Sequence, residues 1–325
     1  MILKGKVVLI TGGTGSLGRK LTEVLLRDHD PHSVRVFSRD ELKQSQMREE
    51  FKDDQRLRFL IGDVRDAGRL ARAMDRVNVV IHAAALKQIV AAEYNPIEAV
   101  RTNIMGAVNV IDAAIDRGVE KVVGVSTDKA VYPINLYGAT KLCAEKLFVH
   151  GNAYSGAHGT RFSCVRYGNV VGSRGSIVPL FERLKASGEL PITDARMTRF
   201  WITLEQAVDL ILTCVREMKG GEIFIPKIPS MKVTELAKAL APDAKLKIVG
   251  IRPGEKLKEY LISSEESRYT RDCGTYFAVE PTNYPFWAGN GKPAAEGLVD
   301  GFEYNSENND QWLSAEELRD VLGRS

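Results

Sequence analysis

Short, largely apolar runs separated by longer stretches organise the first half of the chain. The runs lie at residues 7–10, 34–37, 57–61, 79–81, 122–125 and 161–165. Short runs so rich in apolar residues are typical of strands that are buried on both faces of a sheet. The stretches between them have room for helices, and regular alternation of strands with helices predicts an α/β protein with a doubly wound parallel sheet.

The second half of the chain alternates less regularly. It predicts helices at residues 179–185, 204–218 and 234–240, and strands at 222–225 and 246–249. Beyond about residue 268 the sequence is polar and rich in turn formers, until Ser314 and Glu317 give the capping-box pattern of a last short helix. We therefore expect a sheet domain over residues 1–170, with later segments interleaved, and a smaller α/β substrate region over 171–325.

Composition limits which classes of protein need to be considered. The 325 residues are 44% hydrophobic and 27% charged, as in an ordinary globular protein, and the net charge of +3 is too small to predict nucleic acid or a membrane as a partner. The four cysteines form no CxxC pair, which predicts reduced thiols and no metal site. No apolar run approaches the ~20 residues of a membrane span, and the first strand leaves no room for a signal peptide, so we expect a cytoplasmic protein.

The first predicted strand runs directly into a glycine-rich turn, Thr-Gly-Gly-Thr-Gly-Ser-Leu-Gly at residues 11–18. Gly12 permits the tight turn, Gly15 lets a pyrophosphate approach the backbone, and Gly18 lets the following helix pack on the strand. The N–H groups that open the helix favour an anion there, and Ser16 and Leu17 lie in the same turn. A glycine triplet alone is a weak signal, but a strand before it and a helix after it predict a Rossmann dinucleotide site.

The end of the second predicted strand indicates which dinucleotide is bound. Ser38 and Arg39 follow the strand, and Lys43 lies on the next helix. An arginine at this place suits the 2′-phosphate of NADP, whereas NAD sites usually have a carboxylate there. This favours NADP over NAD, although Asp40 and Glu41 leave the choice open.

The ends of the next two strands add further candidates for the cofactor site. Asp63 and Val64 follow the third strand, where they would flank the adenine. Ala83 follows the fourth strand and lets the cofactor lie close to the backbone, and Lys87 lies where it could face a phosphate of the cofactor or the substrate. His82 has no partner of metal-ligand type nearby, so we interpret it as a structural histidine.

The stretch from residue 122 to residue 146 carries the candidate chemistry. Thr127, Asp128 and Lys129 follow the fifth strand, and a turn leads to a helix with Tyr137 and Lys141, which are four residues apart and share a helix face. Open α/β sheets place their sites beyond the carboxyl ends of the strands. The plain alternatives are that Asp128 and Lys129 form an ordinary surface ion pair and that Tyr-x-x-x-Lys occurs by chance. Because the strand, the polar residues after it and the Tyr-x-x-x-Lys pattern occur together, an active site is favoured.

The glycine turn with Tyr137-x-x-x-Lys141 resembles the extended short-chain dehydrogenase/reductase superfamily. Asp128-Lys129, the segment Asn135-Leu-Tyr-Gly-Ala-Thr-Lys, and the segments RYGNVVGSRGS, MTRFWIT and GIRPGEK resemble the inverting UDP-N-acetylglucosamine 4,6-dehydratases of the pseudaminic-acid route. Asp128-Lys129 is the sharpest feature, since related retaining dehydratases carry Asp-Glu there and 4-epimerases carry neither residue.

The resemblance implies a redox-neutral loss of water. Lys141 would lower the pKa of Tyr137, which takes the proton of the sugar 4-hydroxyl as hydride leaves C4. Lys129, as a neutral amine, would remove the C5 proton, and protonated Asp128 would supply the proton for the departing C6 hydroxyl. Thr127 would bind the 4-hydroxyl. Hydride then returns to C6, and protonation on the opposite face inverts C5.

The resemblance also implies substrate contacts, a further cofactor contact at Arg174, and a homo-oligomer. The implied substrate residues are Lys87, Asn169, Ile177, Arg199, Arg252 and Glu255, with four of them (Asn169, Arg199, Arg252, Glu255) on the nucleotide side. The partner is then UDP-N-acetylglucosamine, and the product feeds sugars for glycosylation of flagellin or other surface proteins. Two alternatives stay open: a retaining UDP-sugar dehydratase or 4-epimerase, opposed by Lys129, and a non-catalytic NADP-sensing regulator, opposed by the intact Thr127, Tyr137 and Lys141.

Overall fold

The computed structural model describes residues 1–156, 159–173, 177–281 and 298–323. Its strands are β1 (Val7–Thr11), β2 (Ser33–Ser38), β3 (Leu57–Ile61), β4 (Val79–His82), β5 (Lys121–Val125), β6 (Arg161–Val165), β7 (Asn169–Val170), β8 (Glu189–Ile192), β9 (Thr198–Ile202), β10 (Ile223–Pro226), β11 (Ser230–Lys232), β12 (Lys245–Ile248), β13 (Tyr260–Ile262), β14 (Thr270–Asp272), β15 (Tyr276–Val279) and β16 (Tyr304–Asn305).

The α-helices of the described residues are α1 (Ser16–Val24), α2 (Glu41–Glu50), α3 (Ala67–Ala73), α4 (Ile89–Tyr94), α5 (Pro96–Ala99), α6 (Gly106–Asp116), α7 (Leu136–Ser155), α8 (Ile177–Leu184), α9 (Leu204–Glu217), α10 (Val233–Leu240) and α11 (Ala315–Gly323). π-helical turns extend α1 over Leu25–His29 and join α5 to α6 over Val100–Met105. No helix in these ranges is long and apolar enough to cross a membrane.

A nine-stranded sheet, counted over the described residues, forms the centre of the fold. Its strand order is β14-β15-β10-β6-β5-β4-β1-β2-β3, and every pair from β10 to β3 is parallel. β1 and β4 are buried at every position, as strands covered on both faces must be. The prediction of an α/β protein with a doubly wound parallel sheet is confirmed.

The edge of this sheet differs from the sequence prediction. The region after residue 268 was expected to be turn-rich, yet β15 pairs antiparallel with β10 and carries β14 on its other side. β15 is short but buried at all four positions, because Tyr276-Phe-Ala-Val supplies apolar side chains on both faces. Segments from the second half of the chain thus complete the sheet that the first half begins.

A second apolar cluster lies outside the central sheet. Its buried members come from α8, β8, β9, α10 and α11, and include Phe181, Leu190, Trp201, Leu236 and Leu318. Two small sheets, β11-β9-β7 and β12-β8, hold these elements together. The capping box that was predicted for the last helix is present: Glu317 N donates to Ser314 Oγ at 3.1 Å, and Ser314 N donates to Glu317 Oε2 at 2.8 Å.

Candidate active site

The carboxyl end of β5 places the candidate chemistry at the middle of the sheet. A single 3₁₀ turn, Asp128–Ala130, follows the strand, and α7 packs directly on that turn. Gly138 makes this contact possible, since a Cβ there would lie 2.2 Å from Lys129 O. Asn135 caps α7 by accepting from Gly138 N at 2.7 Å, and its amide donates to Gly254 O at 2.8 Å, so the helix start is tied to the Gly-Ile-Arg-Pro-Gly-Glu-Lys loop.

A cleft of about 1340 Å³ runs along the carboxyl ends of the strands. Its walls include nearly all the residues predicted for the site: Gly12, Gly15, Ser16, Leu17, Gly18, Ser38, Arg39, Lys43, Asp63, Val64, Ala83, Lys87, Thr127, Lys129, Tyr137, Lys141, Asn169, Ile177, Arg199, Arg252 and Glu255. The exceptions are Asp128, which lies behind the wall, and Arg174, which lies outside the described residues.

The glycine turn has the geometry that the sequence predicts. Gly12 has φ +68, and a Cβ on it would lie 2.9 Å from the backbone of Ala84. A Cβ on Gly18 would lie 2.4 Å from Gly13 O, so helix and turn touch through backbone. No side chain caps the N-terminus of α1. Its N–H groups therefore suit the diphosphate of a dinucleotide.

Arg39 and Lys43, the two cations predicted at the end of β2, both line the cleft but differ in their partners. Asp40 accepts from Lys43 N at 3.0 Å as the cap of α2 and also pairs with Lys43 Nζ at 2.7 Å, so these two charges serve the helix start. Arg39 extends into solvent at the cleft, 3.6 Å from Asp63 Oδ2, while Asp63 pairs more closely with Arg65 at 2.7 Å. Arg39 is thus the residue best placed to meet a phosphate there.

Asp128 is fully enclosed, and its carboxylate is only half satisfied. Oδ1 accepts from Thr127 Oγ1 and from Lys129 Nζ, each at 2.9 Å, while Oδ2 has no hydrogen-bond partner among the described residues. Burial raises the pKa of Asp128 and Glu259 raises it further, against the opposing effect of Lys129. The raised pKa agrees in direction with the expected protonation of this carboxyl, and its role toward the C6 hydroxyl stays a prediction.

Lys129 reaches the cleft from the same turn. Its Nζ lies 2.9 Å from Asp128 Oδ1 and 3.4 Å from both Asn169 Oδ1 and Glu259 Oε1. Burial lowers the pKa of Lys129, but the two carboxylates outweigh burial and raise it above its ordinary value. A base at C5 requires the neutral amine, whereas in the protein without substrate the two carboxylates favour the ammonium form of Lys129.

Tyr137 and Lys141 both line the cleft, but they do not act on each other as expected. Lys141 Nζ donates to Val125 O at 2.7 Å, and burial lowers the pKa of Lys141. Burial raises the pKa of Tyr137, Asp128 adds to this, and Lys129 and a hydrogen bond with Thr127 oppose it. The predicted lowering of the phenol pKa by Lys141 is absent, because the ammonium group is turned to the strand backbone.

The substrate candidates divide into two groups. Arg199 is buried, and it donates to Thr198 O at 2.7 Å and to Lys256 O at 2.9 Å, which makes it part of the wall rather than a free fork for a diphosphate. Asn169 lies beside Lys129, so it belongs to the reactive end and not to the nucleotide side. Arg252 is exposed at the cleft, and Glu255 Oε2 is a buried acceptor without a partner in the described chain.

Two further residues shape the site although sequence reasoning did not select them. Asn103 lies in the π-helical turn and clamps the loop after β4: it accepts from Leu86 N at 2.8 Å and donates to Leu86 O at 3.0 Å and to Thr140 Oγ1 at 2.9 Å. Glu259 lines the cleft beside Lys129. Asn103 lies far from the motifs in sequence, and Glu259 follows the Gly-Ile-Arg-Pro-Gly-Glu-Lys segment by three residues but lies far from Lys129, so only the fold shows what they contact. His82 is structural as predicted: its Nδ1 lies 2.8 Å from Thr11 Oγ1, and burial lowers its pKa to about 3.

Comparison with known proteins places this site in a family. The chain matches the family described as polysaccharide biosynthesis protein over residues 8–281. It is 52% identical over 332 residues to the inverting UDP-N-acetylglucosamine 4,6-dehydratase of Campylobacter jejuni strain 81-176, with 100% of this chain and 99% of that protein covered. It is 42% identical to a UDP-glucose 4-epimerase of Rickettsia felis, over 98% of this chain and 95% of the relative.

Solved structures agree with these relatives. The X-ray structure of Pen from Bacillus thuringiensis superposes with a TM-score of 0.90 at 39% identity, and both chains are fully covered. DesIV, a dTDP-glucose 4,6-dehydratase from Streptomyces venezuelae with NAD and TYD bound, superposes with a TM-score of 0.68 at 26% identity, over 77% of this chain and 86% of that one. Given the extent of the family match and these identities, the chain belongs to the polysaccharide biosynthesis protein family, whose known members include enzymes that act on nucleotide sugars.

Proposed function

We propose that the protein is an inverting UDP-N-acetylglucosamine 4,6-dehydratase, a hydro-lyase that removes water across C5 and C6 and inverts C5. The observation that carries this is the 2.9 Å hydrogen bond between Lys129 Nζ and Asp128 Oδ1 beside Thr127 and Tyr137 in the cleft. Elimination of water needs a base that removes the C5 proton and an acid that protonates the departing C6 hydroxyl, and this pair can supply both by exchanging one proton. The dehydratase relative, alike over the whole chain, supports the same activity.

The cleft fits a nicotinamide dinucleotide, and we infer that NADP is the one used. The N-terminus of α1 has no side-chain cap and suits the diphosphate, and Arg39 suits the 2′-phosphate. Because Gly12 packs tightly against the backbone of Ala84, backbone atoms form the bottom of the cleft there. Held by these residues, a nicotinamide would supply reversible hydride transfer, from C4 of the sugar and back to C6, with no net oxidation.

The chain's own residues move the protons. Tyr137 accepts the proton of the 4-hydroxyl as the phenolate, the form that Lys129 and the hydrogen bond with Thr127 favour against burial. Shifting one proton from Lys129 Nζ to Asp128 Oδ1 along their hydrogen bond converts the ion pair into a neutral amine and a carboxylic acid. The amine then takes the C5 proton, which the new ketone has made acidic. Asp128 supplies the proton for the departing C6 hydroxyl through Thr127 Oγ1, to which it is hydrogen-bonded.

The same inference assigns the substrate's nucleotide to the mouth of the cleft. The exposed guanidinium of Arg252 suits the diphosphate, and the unpartnered Glu255 Oε2 suits a ribose hydroxyl. Lys87 lines the cleft nearby, and desolvation lowers the pKa of its ammonium group. We assign residues 1–170 with β10, β14 and β15 to the cofactor domain and the second apolar cluster to the substrate region. Finer expectations are a cytoplasmic homo-oligomer and a product that enters pseudaminic-acid-type sugars for flagellin glycosylation.

A UDP-sugar 4-epimerase is the second candidate, because one full-length relative is named as such. An epimerase needs the C4 chemistry of Tyr137 but no acid and base for C5 and C6. The enclosed Asp128–Lys129 pair has no use in that reaction and therefore favours the dehydratase.

The proposed function is tested by an NMR time course with UDP-N-acetylglucosamine and catalytic NADP, while absorbance at the reduced-nicotinamide band is followed. We expect a 6-deoxy-4-keto sugar and no steady rise in absorbance. A C4 epimer as the sole product would establish the epimerase, and one reduced cofactor per substrate would establish a plain dehydrogenase.

The cofactor assignment is tested separately by Arg39→Ala. Loss of a charged contact of about 1.5–3 kcal/mol should weaken NADP by roughly 10- to 150-fold and leave NAD nearly unchanged, as measured by fluorescence titration. Arg48→Ala is the control, since Arg48 lies on the same helix, pairs with Asp53 and is not part of the cleft wall. Equal loss of both dinucleotides in Arg39→Ala would show that Arg39 does not read the 2′-phosphate.

A further inference from the structure

We propose that Glu259 is a positioning residue that holds Lys129 in the cleft and keeps one shared proton on the Asp128–Lys129 pair, an inference that rests on the proposed dehydratase. Glu259 directly precedes β13 and is 2% exposed. Its place in the sequence, far from the catalytic turn, gives no sign of this role.

The backbone of Glu259 is fixed, so its carboxylate has a defined position. Its N–H donates to Ser306 Oγ at 3.0 Å, and its carbonyl accepts from Ser306 N at 2.9 Å. Ser306 Oγ in turn lies 2.8 Å from Thr198 Oγ1 on β9. The carboxylate is therefore set on a rigid frame and not on a loose loop.

Three cations surround this carboxylate, and they are not equivalent. Oε1 lies 3.4 Å from Lys129 Nζ and 3.8 Å from Arg199 Nε, and Oε2 lies 3.6 Å from Lys256 Nζ. Arg199 donates to Lys256 O at 2.9 Å and Lys256 Nζ donates to Val131 O at 2.6 Å, so both are tethered to backbone. The partners of Lys129 Nζ described above are all side chains, so among these three cations its ammonium group is the one that can move most easily when a substrate binds.

The charges around Glu259 separate the roles of the two carboxyl groups. Burial alone would raise the pKa of Glu259, but Lys129, Arg199 and Lys256 together hold it below its ordinary value, so Glu259 stays an anion. That anion helps to raise the pKa of both Asp128 and Lys129. Of two carboxyl groups facing one ammonium, Glu259 is thus the permanent charge and Asp128 the group that takes up the proton.

This arrangement has a consequence for the pH dependence of the reaction. The pair works with one shared proton: a second proton removes the base, and loss of the first removes the acid, which gives a bell-shaped profile of kcat. The groups facing the pair are Glu259, Arg199, Lys256, Thr127 and Tyr137. Removing the negative charge of Glu259 makes every proton on the pair easier to lose, so both limbs move to lower pH.

The experiment is the pH profile of kcat for the wild type, Glu259→Gln, Glu259→Asp and Lys256→Met. In Glu259→Gln the limbs should move to lower pH by roughly 1–3 units, the size of a neighbouring-charge effect. Glu259→Asp keeps the charge and should restore most of the wild-type profile. Lys256→Met removes a neighbouring cation and should move the limbs the other way. Lys258→Met is the matched control, since Lys258 pairs with Glu307 at 2.8 Å and should leave the profile unchanged.

The outcomes separate this inference from the proposed function. If the wild type forms no 6-deoxy-4-keto sugar, the proposed function fails. If the wild type is active but Glu259→Gln lowers kcat with both limbs in place, Glu259 is merely structural and the inference is overturned. If Glu259→Gln does not fold, as shown by its thermal unfolding curve, Lys256→Met decides: limbs at the wild-type pH overturn the inference, and limbs moved to higher pH support it.

Discussion

Two clusters of buried charge follow neighbouring strands of the sheet: one is built on Arg166 after β6, and the other on Asp128 and Lys129 after β5. Only the first is complete. In the first, Arg166 donates to Glu145 Oε2 at 3.1 Å and to Glu266 at 2.8 and 2.9 Å, with a further bond to Leu261 O. Each carboxylate oxygen of this cluster accepts a hydrogen bond.

The second cluster, Asp128, Lys129 and Glu259, leaves Asp128 Oδ2 and Glu259 Oε2 without hydrogen-bond partners in the described chain, although Glu259 Oε2 lies 3.6 Å from Lys256 Nζ. Buried acceptors without partners cost about 1–3 kcal/mol each, so a cluster built only for stability would satisfy them. We infer that the Arg166 cluster stabilises the packing of the elements it joins. The cleft cluster instead has carboxylate oxygens that can accept a hydrogen bond from a ligand or take up a proton.

The two clusters also differ in how they treat protons. Burial opposes the ionised form of Glu266, but Arg166 outweighs it and lowers the pKa of Glu266 to about 2. Asp128 faces an ammonium too, yet its pKa is raised, because it is more deeply enclosed and Glu259 adds a second negative charge. Glu266 is therefore held in its ionised form, whereas Asp128 can exchange a proton with Lys129.

The largest expected effect is on the rate, from a change in the cleft cluster. Lys129→Met should lower dehydration by ~10²–10⁴-fold, the usual contribution of a positioned base. Because methionine fills a similar volume, cofactor binding should persist. The measurement is single-turnover product formation, with Lys258→Met as a control outside the cleft wall. A Lys129→Met enzyme with nearly full activity would contradict the role of the pair.

The next effect is on stability, from a change in the complete cluster. Arg166→Met leaves two buried carboxylates without their cation and should cost about 3–5 kcal/mol of unfolding free energy in denaturant titrations. Arg196→Met is the matched control, because Arg196 forms an exposed pair with Asp194 and should cost less than about 1 kcal/mol. If both variants lost the same unfolding free energy, the claim that the Arg166 cluster stabilises the fold would be wrong.

A smaller effect is the acid sensitivity that Glu266 confers. Its pKa in the folded protein, about 2, lies below the ordinary 4.5, so its contribution is fully present above about pH 4.5 and is lost as pH falls toward 2. The contribution is roughly 3 kcal/mol. Glu266→Gln should flatten the fall of unfolding free energy over this range, measured by denaturant titration at each pH. An unchanged slope would show that Glu266 is not held ionised by Arg166.

Local patterns in the sequence were enough for the sheet, the glycine turn and the residues around the cleft. They work because a buried strand and a helix start have signatures within a few residues, as at Val7–Thr11 and Asn135. The protonation states could not be predicted in the same way. The sequence could only state that Lys129 must be neutral to act as a base, because the charge of Lys129 also depends on Glu259, which the fold brings from 130 positions further along the chain. β15 was missed since a strand of four residues, all of them buried, is too short to show a periodic signal.

The central claim is that Lys129 and Asp128 carry out an elimination that inverts C5, and one measurement tests it most directly. The wild-type reaction with UDP-N-acetylglucosamine is run in heavy water, and the product is followed by NMR from the earliest time point. The account predicts a 6-deoxy-4-keto sugar that carries deuterium at C5 and has the inverted configuration there. A first product that keeps the original C5 configuration, or that lacks deuterium at C5, would contradict it.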